Sequence, residues 1–172
     1  MDCLLFSLKV IDGFFGRSEI NKLQITKTTK ELYQSNFRWG PMRVLVIDHQ
    51  VLFREGLVDL INAEPDFKVC GQGGSMSEGV SLAVELNPDL VLIDYDLPDG
   101  TGAEATRIIL AQKPDCKIVI LSSDGAEQRL FNSIRSGVIG FLLKDVSIHK
   151  LITALRSVQD GEAAISRSMT AQ

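Results

Sequence analysis

From Met42 onward, short apolar runs of strand length alternate with stretches whose apolar residues recur at helical spacing, and the cycle repeats five times. Residues 43–47 (RVLVI) form a continuous run, as expected of a strand buried on both faces. Phe53, Leu57, Leu60 and Ile61 then fall at i, i+4, i+7 and i+8, one face of a helix that ends near Glu64-Pro65. Residues 67–70, 90–93, 117–121 and 138–142 are the next four strands. Between and after them lie helical stripes: Met76, Val80, Ala83 and Val84; Ala105, Ile108 and Ile109; Leu130, Phe131 and Ile134; and Ile148, Leu151, Ile152, Leu155 and Val158. Gly137 is expected to close the fourth helix and Ser147 to cap the fifth.

Five strands alternating with five helices predict an α/β fold, a doubly wound parallel sheet with helices on both faces. Right-handed crossovers and this element count favour the flavodoxin-like (βα)5 order 2-1-3-4-5. In such sheets chemistry gathers beyond the carboxyl ends of the strands, near the switch point between strands 1 and 3. Strand 1 ends in Asp48-His49, strand 3 in Asp94 and strand 4 in Ser122-Ser123, while strand 5 runs to Lys144. Two carboxylates, a hydroxyl and an ammonium at one edge form a set suited to handling a phosphoryl group. Asp94 can act as nucleophile, a divalent cation between carboxylates offsets phosphate charge, and Ser and Lys bind phosphoryl oxygens.

The stretches MRVLVID with LFREGL, DLVLIDYDLPDGTG, KIVILSS and SGVIGFLLKD occur in that order. The spacing is 46 residues from Asp48 to Asp94, 28 to Ser122 and 22 more to Lys144. On these motifs residues 42–161 resemble the CheY-like receiver domain of two-component response regulators, in the NarL/FixJ branch whose output is a LuxR-type helix-turn-helix. The resemblance implies Asp94 as phosphoacceptor for a sensor histidine kinase, with Asp48 as a metal-site acid and Asp96 lending a backbone carbonyl to Mg²⁺. It implies Ser122 as switch hydroxyl, Lys144 as the phosphate-binding lysine and Phe141 at the switch-aromatic position. The surface from the fourth helix through the last strand and helix would then repack on phosphorylation.

One position departs from the pattern. The family has two adjacent acids after strand 1, and a gap-free alignment places Asp48 on the first and His49 on the second. Sliding the register to make Asp48 the second acid requires an insertion before Phe53. In either register one acid remains. Mg²⁺ is hard and favours oxygen, so His49 is expected to weaken its binding and is read as a tolerated substitution before a metal ligand. Slow or absent phosphorylation would follow. This supports an alternative, a phosphorylation-independent receiver kept for interaction or dimerisation. A phosphatase reading of the Asp94-Tyr95-Asp96 pattern is disfavoured, because such enzymes carry that motif on their first strand.

The chain of 172 residues divides at about residue 41. Residues 1–41 hold six of the eleven aromatics and carry +2, whereas 42–172 carry −6. The leader is read as an extension of uncertain structure, with Met42 as a plausible translation start. Lys9 and Asp12 interrupt its apolar opening, so neither a signal peptide nor a membrane span is expected. Three scattered cysteines, Cys3, Cys70 and Cys116, fit reduced thiols in the cytoplasm rather than a zinc site. Residues 162–172 are read as a C-terminal tail or the start of a linker, which residues 166–172 resemble. No basic stripe is present, so DNA contact is expected only through an output domain absent from this chain, and the function expected is that of a switch, not an enzyme.

Overall fold

The computed structural model describes residues 40–165; the expectations for the leader through residue 39 and for the tail from 166 lie outside them. Numbered along the principal sheet, the strands are β1 (Met42–Ile47), β2 (Phe67–Gly73), β3 (Leu90–Asp94), β4 (Lys117–Ser122), β5 (Gly140–Leu143) and β6 (Ala164–Ile165). The helices are α1 (Val51–Asn62), α2 (Met76–Leu86), α3 (Gly102–Gln112), α4 (Glu127–Ser136) and α5 (Ile148–Gln159). All pairings in this sheet are parallel, and the strand order is β2-β1-β3-β4-β5-β6. The five-strand order is the one expected. The short β6 adds a sixth strand beyond the expected domain end at residue 161, pairing Ala164 with Gly140.

Strand periodicity divides the core. Val44, Val46, Leu90 and Leu92 pack against α1 and α5, whereas Leu45, Ile47, Val91 and Ile93 pack against α2 and α3. Both faces of β1 and β3 are therefore covered, which is why their sequences read as unbroken apolar runs. Polar groups fix the helix ends. Thr101 and Glu104 form a reciprocal capping box on α3, and Ser75 and Ser147 accept from Glu78 N and Lys150 N on α2 and α5. At the other end of α5, Lys117 Nζ donates to the carbonyls of Val158 and Gln159 at 2.7 and 2.8 Å. Gly137 ends α4 at φ +96°, in the left-handed region where a side chain is strained.

Helix α4 departs from the expected stripe. Leu130 is half-buried, but Phe131 and Ile134 are exposed, and the buried positions are Ser133 and Ser136. Both hydroxyls bond within the helix, Ser133 Oγ to Arg129 O at 2.7 Å and Ser136 Oγ to Ser133 O at 2.6 Å, so burying them leaves no orphan donor. Arg129 shares this i, i+4, i+7 face and is held by groups on the β3 side, described next. The helix is thus rolled by its polar residues rather than by its largest apolar ones.

Candidate phosphoryl-handling site

The ends of β1, β3 and β5 bring Asp48, Asp94 and Lys144 together. Asp48 and Asp94 are each 1% exposed. Lys144 Nζ lies 2.7 Å from Asp48 Oδ2 and 2.9 Å from Asp94 Oδ2, and 4.8 Å from the centre of the Phe53 ring. Both carboxylate contacts have ion-pair distance without hydrogen-bond direction, so Lys144 Nζ and Asp48 Oδ2 are buried and make no hydrogen bond. Asp48 Oδ1 accepts from Gln50 N at 2.8 Å, which fixes the turn into α1. His49, at the mouth, places Nδ1 2.8 Å from Asp94 Oδ2. Asp94 Oδ1 is engaged only loosely, by the amide of Asp96 at 3.3 Å.

Ser122 closes β4, and its carbonyl accepts from Lys144 N at 2.8 Å. Its buried hydroxyl donates to Asp124 O at 2.7 Å and accepts from Asp124 N at 3.2 Å. The neighbouring Ser123 is exposed, so Ser122 alone of the pair is built into the strand end. Phe141 is wholly buried in β5, facing the α2–α3 side of the core. Asp96 begins a two-residue strand (Asp96–Leu97) that pairs antiparallel with Gly100–Thr101, a small hairpin the apolar pattern did not signal. Its side chain turns to Arg129, which also lies 4.7 Å above the Tyr95 ring and 3.7 Å from Asp124. Asp96 beside it raises the Arg129 guanidinium above its ordinary pKa.

Residues that the motif reading left aside hold this arrangement. Arg54, from α1, donates to the carbonyl of Asp48 and to Gln72 Oε1. Gly102 follows the hairpin, donating its N–H to Tyr95 O at 2.8 Å, and a Cβ there would sit 2.4 Å from the Asp94 carbonyl. Gly102→Ala must therefore displace the Asp94 backbone, with an expected cost of about 1–3 kcal/mol. A thermal melt checks this, and an unchanged Tm would contradict it.

Asp99 accepts from Met76 N at 2.6 Å and Ser77 N at 2.9 Å, tying the loop after β3 to the start of α2. The Ser77 contact, followed by the Met76 amide, holds the Asp99 carboxyl below its ordinary value. A depressed carboxylate stabilises the fold above its unfolded pKa, and that contribution is lost as pH falls through the folded one. Asp99→Ala should accordingly lower Tm at neutral pH by a small, salt-sensitive amount, a deficit that vanishes in acid well below the ordinary carboxylate range. Equal deficits at both pH values would contradict the assignment. Burial pushes the Cys116 thiol up to about 11 and also raises Cys70, so neither is a thiolate at neutral pH.

Residues 44–156 match the response regulator receiver domain model, and the chain belongs to that family. Among its relatives are an uncharacterized transcriptional regulatory protein YxjL of Bacillus subtilis, 41% identical over 130 residues, covering 76% of this chain and 59% of that protein. The DNA-binding transcriptional activator DevR/DosR of Mycobacterium tuberculosis is 35% identical over 127 residues, covering 74% of this chain and 58% of the relative. A two-component response regulator of the LuxR family from Aurantimonas superposes with a TM-score of 0.73 at 26% identity, covering 76% of this chain and 94% of that one. The chain spans just under three fifths of the length of YxjL and of DevR/DosR. Among the described residues, no helix is long and apolar enough to cross a membrane.

Receiver domains generally bind Mg²⁺ at an acidic pocket, and here Asp48, His49 and Asp94 each offer a donor atom within 4.8 Å of the others. Asp48 Oδ2 is buried without a hydrogen bond, but the Lys144 ammonium 2.7 Å away already faces it. The set as a whole does not fit the all-oxygen environment that Mg²⁺ favours, because the third donor is an imidazole nitrogen.

Proposed function

We propose that this receiver domain accepts a phosphoryl group on Asp94 from the phosphohistidine of a sensor kinase and acts as the switch of a transcription regulator. The observation that carries the reading is the buried Asp94 carboxylate at the end of β3, its Oδ2 held 2.9 Å from the Lys144 ammonium. A carboxylate oxygen of Asp94 attacks phosphorus as the phosphorus–nitrogen bond of the donor breaks, and the imidazole departs with that bond's electron pair. Lys144 offsets charge on the phosphoryl oxygens throughout. The Ser122 hydroxyl, bonded to Asp124 before transfer, exchanges that partner for a phosphoryl oxygen.

Movement of Ser122 draws on the β4–α4 loop, where Asp124 and Asp96 share Arg129, and the packing of Phe141 beneath it adjusts. The α4–β5–α5 surface is thereby repopulated in a second arrangement. Two relatives are named as a transcriptional regulatory protein and a DNA-binding transcriptional activator, which supports a DNA-directed output through another domain; a homodimer as the binding unit belongs to the same proposal. Acetyl phosphate or beryllofluoride replaces the kinase in the test. Amide exchange in α4 and β5 is expected to change on addition, whereas no change with either reagent would leave a phosphorylation-independent docking role.

A further inference from the structure

The receiver reading leaves His49 as a substitution to be tolerated, but its position gives it a use. Its ring nitrogen lies 2.8 Å from Asp94 Oδ2, and it shares with Asp48 and Asp94 a cluster of three donors within 4.8 Å. Asp48 is 1% exposed, and its Oδ2, buried at this spot, accepts no hydrogen bond and has the Lys144 ammonium 2.7 Å away as the cation it faces. We propose that the Asp48–His49–Asp94 cluster selects a borderline first-row cation such as Zn²⁺ or Co²⁺ over Mg²⁺, with His49 as a ligand.

Charge and donor type argue in the same direction. Mg²⁺ gives up water reluctantly and depends on carboxylate charge to hold it. Of the two carboxylates here, both already face the Lys144 ammonium, and the Arg54 guanidinium sits on the Asp48 carbonyl. A neutral imidazole adds no charge to offset these cations. It is, however, a good ligand for Zn²⁺ and Co²⁺, which bind mixed nitrogen and oxygen donors well. Two carboxylates and one imidazole also leave room for a fourth donor, the number a catalytic zinc site presents. His49 Nδ1 already lies against Asp94 Oδ2, so this ring nitrogen faces the carboxylates rather than solvent.

This inference rests on reading the cluster as the receiver's cation site, and its test separates the two. Wild type, His49→Asp, His49→Gln and Asp48→Asn are titrated with MgCl₂, with Zn²⁺ against a chromogenic chelator, and with Co²⁺ followed by visible absorption. The Zn²⁺-to-Mg²⁺ affinity ratio is expected to be at least about tenfold higher in wild type than in His49→Asp. His49→Gln loses Zn²⁺ affinity without gaining Mg²⁺ affinity, and Asp48→Asn weakens both ions. Mg²⁺ binding equally tight in wild type and His49→Asp would overturn the proposal. So would Zn²⁺ binding unchanged in Asp48→Asn, which would place the ion elsewhere, for instance on a cysteine. Phosphoryl uptake from acetyl phosphate, measured by mass on the same samples, reports on Asp94 regardless of which ion wins.

Discussion

Lys144→Met is expected to destabilise the fold by about 3–5 kcal/mol, the range for removing one partner of a buried ion pair. Lys144 is 8% exposed at its side chain, and the two carboxylates it faces are each 1% exposed, so solvent screens little of the interaction. Without the ammonium, Asp48 and Asp94 are two buried negative charges at the end of adjacent strands, and the face of Phe53 loses its cation. Methionine fills much the same volume, which keeps the effect one of charge rather than of packing. Urea unfolding of the single and double variants measures it. Adding Asp94→Asn to Lys144→Met should recover part of the loss, since one unpaired charge goes, and the cycle reports the coupling. A Lys144→Met variant as stable as wild type would contradict the ion-pair account.

Asp94→Asn carries the second large effect, complete loss of phosphoryl uptake with the fold intact. The substitution keeps the side-chain volume and removes one of two charges that share a single lysine, so stability is expected to hold or rise. What it removes is the anionic nucleophile, and no other carboxylate replaces it. Asp48 is turned to Gln50 N and Lys144, and Asp96 is committed to Arg129. Intact-mass measurement after incubation with acetyl phosphate checks the prediction, alongside a melt to show that the variant is folded. Uptake by Asp94→Asn equal to wild type would move the acceptor to another residue.

Most of the architecture was legible because strands buried on both faces must be apolar throughout. Residues 43–47, 90–93 and 117–121 are found within β1, β3 and β4, and the polar residues that end these runs meet at one edge. What escaped the pattern is polar. The Asp96–Leu97 and Gly100–Thr101 hairpin is too short to show a period. Helix α4 presents Ser133 and Ser136 inward because their hydroxyls bond to their own helix and Arg129 is pulled toward Asp96 and Tyr95, so apolar spacing alone picked the wrong face. Arg54 and Asp99 act on backbone groups far along the chain, and no local spacing signals such partners.

The same limit applies within the site. The order and spacing of Asp48, Asp94, Ser122 and Lys144 placed these residues at one edge of the sheet, but not that Lys144 would bridge both carboxylates or that His49 would lie against Asp94. Those contacts depend on the register between β1 and β3, which aligns Ile47 with Ile93 and so sets their following residues side by side. They turn a list of motif residues into a charged cluster of defined composition.

The most direct measurement is to locate the phosphoryl group itself. After reaction with acetyl phosphate, reductive trapping of the acyl phosphate and peptide mass spectrometry are expected to mark Asp94 and no other carboxylate. Label on Asp48, on Asp96 or on no residue would contradict the account.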